Sequence, residues 1–219
     1  LKSIFNKGNI LKGVTNLKQW KTIEITMIAL FVALMAVGAN ITSFLVIGGV
    51  PVTLQTFFAI LAGLLLGKRL GSVAMFVYML VGLIGIPIFA GVSGGLIIIT
   101  KPSFGFILSF IITAFIVGLI AEKKQTIPTF IFTAFIGLII NYIIGTTWMY
   151  MAYKTWYAAP DGFTYQLLWS WMALPLIKDI ILTFIAGTVG YRLYKSVIKK
   201  SSLQVHWSSH SSHKKTRPL

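Results

Sequence analysis

Apolar residues run along the chain in six blocks, at about 22–39, 52–67, 71–90, 104–121, 127–150 and 171–193. Crossing about 30 Å of hydrocarbon takes roughly 20 helical residues. The second block is the shortest, and Gly67-Lys68-Arg69 ends it. Backbone groups inside a bilayer must be satisfied within their own segment, so the blocks are predicted as helices. The stretch before them is polar and basic, with Lys2, Lys7, Lys12, Lys18 and Lys21. It is too long for a signal n-region, and no small-residue cleavage site follows the first block, so it reads as a retained cytoplasmic arm over 1–21. Residues 22–197 form the membrane domain. The basic, Ser- and His-rich stretch 198–219 has no apolar period and reads as a disordered tail.

Charge sets the orientation. With the N-terminus inside, Lys68, Arg69, Lys123, Lys124 and all the basic residues from Arg192 onward fall on the cytoplasmic side. Only Lys101 and Lys154 lie outside, and Lys178 lies within a block. Inverting the chain reverses this bias, so the expectation is an all-α membrane protein of six transmembrane helices with both termini cytoplasmic. The same distribution accounts for most of the net charge of +15 without nucleic acid.

Composition narrows the chemistry. The chain is 57% hydrophobic and 11% charged, against about half and a quarter for a soluble domain. It has no Cys, and its three His residues all sit in the tail. That excludes disulfides, thiolate nucleophiles, Cys-based zinc sites and histidine catalysis in the membrane. The four acids, Glu24, Glu122, Asp161 and Asp179, are widely spaced and offer little acid–base chemistry. No catalytic residues and no metal site are expected. No nucleotide loop is present either, so active transport would draw its energy from another chain or an ion gradient.

Ionisable residues inside a span are costly and therefore candidates for function. Asp179 and Lys178 qualify. Neighbours on a helix point about 100° apart, so the two are not expected to pair face to face. Asp179 is expected to face a ligand, and Lys178 either to join it or to snorkel outward. Thr53 and Gln55 open the second block, and Asn141 and Tyr142 lie mid-way along the fifth. Such groups either bond helix to helix or serve as polar anchors in an apolar pocket. Outer connections 40–51 and 91–103 are uncharged apart from Lys101, and 154–170 is rich in Trp and Tyr. Ala29 and Ala33 form a small-xxx-small pair that lets another helix approach closely.

Several runs occur in an order that resembles one family. They are Gly49-Val-Pro-Val-Thr-Leu-Gln-Thr-Phe-Phe-Ala-Ile-Leu-Ala-Gly-Leu-Leu-Leu-Gly67, then Tyr78-Met-Leu-Val-Gly-Leu-Ile-Gly-Ile-Pro-Ile-Phe-Ala-Gly-Val-Ser-Gly-Gly95, then Phe104-Gly-Phe with Gly118-Leu-Ile-Ala-Glu122. Tyr142-Ile-Ile-Gly-Thr-Thr-Trp148 and Pro175 with Asp179 complete the series. Together, over about 23–197, they resemble the BioY family, the biotin-specific S-component of energy-coupling-factor (ECF) transporters. The resemblance implies a six-helix, non-enzymatic subunit in a bacterial plasma membrane that binds biotin from outside. It implies as partners a transmembrane coupling protein, docked through Ala29 and Ala33, and two cytoplasmic ATPases that use the ATP. No cofactor is implied for the chain itself.

The family pattern places an Asp on the sixth helix and a Lys three residues later. Asp179 matches the Asp, whereas position 182 is Leu, and Lys178 is the candidate substitute. On this resemblance Asp179 accepts from ureido N–H, since a carboxylate is acceptor only. Gln55, Asn141 and Tyr142 serve the remaining ureido atoms, and Thr53 lines the same biotin pocket. Phe89 and Trp148 pack the thioether ring and chain. Backbone amides around Gly91, Ser93 and Gly94 form an anion nest for the carboxylate, helped by Lys178 or Lys101. The alternatives are an S-component for another vitamin, a gradient-driven carrier protonated at Asp179, and an intramembrane enzyme using Asp179.

Overall fold

The computed structural model describes residues 20–47 and 50–200. Most of the expected arm and tail, and Gly49 of the first motif, lie outside the described residues. The elements are α1 (Thr22–Asn40), a hairpin of β1 (Val46–Ile47) and β2 (Val50–Pro51), α2 (Gln55–Leu83), a 3-10 turn (Leu96–Thr100), α3 (Phe104–Ala121), α4 (Ile127–Thr155), α5 (Tyr165–Ser196) and a last 3-10 turn (Ile198–Lys200). Among the described residues, all five α-helices are long and apolar enough to cross a membrane.

The second and third apolar blocks both fall within α2, which is not straight. At Gly67 the backbone leaves the helix, with φ 76° and ψ 179°. Gln55 Nε2 nevertheless donates to Tyr78 Oη at 2.9 Å, although a straight helix would hold those residues about 35 Å apart. A Cβ on Gly71 would lie 2.9 Å from the Ala62 carbonyl oxygen. The chain therefore turns back at Gly67, and the two arms of α2 lie side by side. Glycine is required there because L side chains are strained at that φ. Glu122 holds the turn. Its Oε1 accepts the Lys68 backbone N–H at 2.9 Å, at the start of the second arm, and its Oε2 lies 3.5 Å from Lys68 Nζ.

Other helices begin or end beyond their apolar blocks. The hydroxyl of Thr164 accepts Leu167 N–H at 3.1 Å and caps α5, so Tyr165 and Trp169, expected in an outer loop, are helical. Small residues let the helices approach: a Cβ on Gly63 would meet the Ala114 carbonyl oxygen, and one on Gly187 the Ile131 backbone. Polarity is inverted relative to a soluble protein. Asn141, Ser109, Thr113 and Asp179 are buried, whereas Ile139, Ile143, Ile177, Ile181 and Phe184 are exposed, as hydrocarbon surroundings allow. On α1, Phe31 and Met35 are buried, and Ala29 and Ala33 lie exposed on another face.

Candidate ligand site

One void has an empty volume of about 910 Å³, open solvent at its mouth included. Residues 50–53 and the 89–93 loop wall it on one side, and Ile98, Lys101 and Ser103 stand beside them. The N-terminus of α2 contributes Gln55 and Thr56, and α3 contributes Phe106, Ile107 and Phe110. Asn141 and Tyr142 come from α4, and Met172, Pro175, Lys178 and Asp179 from α5. The α5 residues recur at the three- and four-residue spacing that puts side chains on one helical face.

Eight of the expected site residues line this cavity: Thr53, Gln55, Phe89, Ser93, Asn141, Tyr142, Lys178 and Asp179. The polar ones fall into small hydrogen-bonded groups. Tyr142 Oη donates to Asp179 Oδ2 at 2.8 Å. Asn141 Nδ2 donates to the Thr56 hydroxyl at 3.2 Å, and the Ser109 hydroxyl donates to Asn141 Oδ1. Asn141 thus ties α2, α3 and α4 together and also lines the cavity.

Gln55 is oriented by a relay. Tyr78 Oη donates to the Ile88 carbonyl at 3.0 Å, so it can only accept from Gln55. One Gln55 N–H is therefore committed to Tyr78, and the amide's carbonyl oxygen remains as an acceptor.

Lys178 corrects the expectation that it would not meet its neighbour. Its Nζ lies 2.8 Å from Asp179 Oδ1 and also donates to the Thr53 carbonyl oxygen. The two Cβ atoms do diverge, but four methylenes reach back across the helix. Lys178 therefore does not snorkel; it ties α5 to the segment that enters α2. The ammonium thus neutralises a carboxylate whose Oδ1 is itself fully buried, and Tyr142 holds the other oxygen.

Three expected residues are placed elsewhere. Trp148 packs across α3: a Cβ on Gly105 would fall 2.2 Å from Trp148 Cβ, and the Phe104 and Trp156 rings lie 5.9 Å away. Phe106 and Phe110 provide the aromatic wall instead. Gly94 is pressed against the Ile86 carbonyl oxygen, and Gly91 turns the chain at φ 71° outside the lining. The loop does not present a free row of amides. Val92 N–H donates to Asn40 Oδ1 at 2.7 Å, Ser93 N–H to Phe89 O and Gly95 N–H to Gly82 O. Sequence reasoning missed Thr56, Phe106, Phe110 and Met172, because a hydroxyl or aromatic within an apolar block carries no mark of which face it occupies.

Among the described residues no group of His, Cys, Asp and Glu could hold a metal ion, and no carboxylate lies at ion-pair distance from Lys101, which stands exposed at the cavity.

A family model described as the BioY family matches residues 13–199. The chain belongs to the BioY family. It is 41% identical over 181 residues to BioYB of Bacillus subtilis (strain 168), covering 80% of this chain and 90% of that one. It is 40% identical over 116 residues to the biotin transporter BioY of Thermotoga maritima, covering 53% of this chain and 68% of that one. The solved structure of an S-component for biotin from an ECF-type ABC transporter shares the fold, with a TM-score of 0.65 at 20% identity, over 94% of this chain and 100% of that chain. This BioY-family chain is accordingly a multi-pass membrane protein.

Proposed function

We propose that the chain is the biotin-capturing S-component of an ECF-type uptake system. The observation that carries this reading is the presence of Asp179, Tyr142, Asn141 and Gln55 beside Phe89, Phe106, Phe110 and Met172 on the wall of one cavity in a BioY-family fold. Biotin has the same division of chemistry. Its ureido N–H groups suit the Asp179 carboxylate and the Gln55 carbonyl oxygen. Its thioether ring and chain suit Phe106, Phe110, Phe89 and Met172. Its carboxylate suits Lys101, because the 91–95 amides are largely spent and Lys178 is engaged with Asp179 and Thr53.

We also propose six spans, with α2 crossing twice as its two arms, and both termini cytoplasmic. The turn at Gly67 supports this, and so does the charge of Lys68, Arg69, Lys123 and Lys124 beside it. The exposed Ala29–Ala33 face of α1 then docks on a transmembrane coupling protein, and two cytoplasmic ATPases drive release inward. Titration calorimetry of the purified chain tests the central step. Saturable binding of biotin without ATP is expected. No heat with biotin, but saturable heat with another vitamin, overturns the ligand assignment.

A further inference from the structure

A second void lies between α4 and α5, with an empty volume of about 660 Å³. It is lined by Phe135, Leu138, Ile139, Tyr142 and Ile143 of α4 and by Trp169, Leu176 and Ile180 of α5, and its wall is wholly apolar. Ile139, Ile143 and Ile180 are exposed on the outer surface of the helices. The groove follows roughly 17 Å of α5 and 12 Å of α4 at 1.5 Å per residue, and its α4 part lies mid-way along that helix.

Tyr142 lines this groove and the ligand cavity alike. Each helix therefore carries two stripes. On α5, Met172, Pro175 and Asp179 face the cavity, and Leu176 and Ile180 face the groove. On α4, Asn141 faces the cavity, and Leu138, Ile139 and Ile143 face the groove. The Tyr142 ring stands where the stripes meet. It is pinned by its hydrogen bond to Asp179 and by an edge contact with Phe106, whose ring centroid lies 6.2 Å away.

We infer that a bilayer acyl chain fills the α4–α5 groove and that the Tyr142 ring is the wall that keeps it out of the ligand cavity. Water in the groove would find no hydrogen-bonding partner, and a polar solute would find none either. The groove opens at hydrocarbon depth, so lipid chains are the phase that bathes it. Behind the ring, Phe106, Phe110 and Met172 form a surface equally suited to hydrocarbon. One side chain thus separates a vitamin-sized cavity from the membrane interior.

The test uses the full chain in nanodiscs of phosphatidylcholine, part of it carrying a mid-chain diazirine, with labelled residues mapped by mass spectrometry after irradiation. In the native chain, label is expected at Leu138 and Leu176 within the groove as well as at the exposed Ile139, Ile143 and Ile180, and none at Phe110 or Met172. In Tyr142→Ala, label is expected to appear at Phe110 and Met172. In Tyr142→Phe, which keeps the ring, the cavity is expected to stay unlabelled. Ile143→Trp, which adds bulk at the groove, is expected to remove label from Leu138 and Leu176 while the exposed Ile139 and Ile180 stay labelled, and it serves if the Ala variant does not fold. The inference is overturned by unlabelled Leu138 and Leu176 in the native chain, by cavity label in the native or Phe chain, by an unlabelled cavity in a folded Ala variant, or by persistent label at Leu138 and Leu176 in Ile143→Trp. None of these readouts needs a vitamin, so their failure leaves the biotin reading intact.

Discussion

Lys178 and Asp179 are consecutive on α5, and yet the ammonium lies 2.8 Å from the carboxylate inside the cavity. The Lys178 contact to the Thr53 carbonyl closes a bridge between α5 and the start of α2. In the biotin reading Asp179 holds ureido N–H and Lys178 neutralises and positions it. Asp179→Asn is then expected to weaken biotin by about 1.5–3 kcal/mol, the range for hydrogen bonds to charged groups, or roughly ten- to a hundred-fold in Kd. Lys178→Met is expected to weaken biotin and its alcohol analogue, which lacks the carboxylate, to the same degree. The double variant should lose less than the sum of the single losses, because the two side chains act as a pair. Calorimetric titration of the four proteins checks this. A loss in Lys178→Met confined to biotin itself would show that Lys178 holds the ligand carboxylate.

Lys101 is expected to behave in the opposite way. It stands at the cavity without an ion-pair partner among the described residues. Lys101→Gln should weaken biotin several-fold and leave the alcohol analogue unchanged. The difference should shrink as salt is raised, since exposed charges are screened. Equal affinities for native and variant chains across salt concentrations would remove Lys101 from the site.

Much of this arrangement was legible in the sequence, for identifiable reasons. Burying Asp179 or Asn141 in hydrocarbon is expensive enough that composition alone marks both residues. The ordered motifs of the family brought Gln55 and Phe89 to the same place. Three features are not legible there. The Cβ direction of Lys178 predicts divergence from Asp179, but the charge sits four methylenes farther on. The Trp148 ring lies over Gly105, and a glycine on the opposing helix shows only in three dimensions where an indole fits. The 91–95 glycines predict a row of donors. Their backbone turns the chain, and three of the loop's amides, those of Val92, Ser93 and Gly95, are satisfied internally.

The turn in α2 makes a stability prediction that is independent of any ligand. Gly67→Ala places a Cβ at φ 76° and 2.5 Å from Glu122 Oε1. A backbone at φ 76° and ψ 179° is essentially confined to glycine and costs an L residue about 1–3 kcal/mol, and displacing Glu122 also removes the acceptor at Lys68 N–H. Glu122→Ala should cost about 0.5–2 kcal/mol, the range for losing a helix cap. Because both changes strike one contact, combining them should cost less than their sum. Thermal unfolding in detergent is the measurement. A Gly67→Ala chain as stable as the native one would show that the turn tolerates a side chain and that the two arms of α2 are held without it.

Ala29 and Ala33 lie four residues apart on the exposed side of α1, whereas Phe31 and Met35 fill the interior from its other side. A pair of small side chains facing outward has no packing role within the subunit, and it leaves a shallow stripe into which a second helix fits closely. Bulk added there should therefore act on assembly and spare the ligand site. Ala29→Trp and Ala33→Trp are expected to keep the native biotin affinity and thermal stability but to lose co-purification with the coupling protein, and uptake with it. Binding and stability separate this from damage to the fold, since a misfolded chain fails in all three assays. Undiminished complex formation and uptake in both variants would mean that α1 presents this stripe to lipid and that the partner docks on another face.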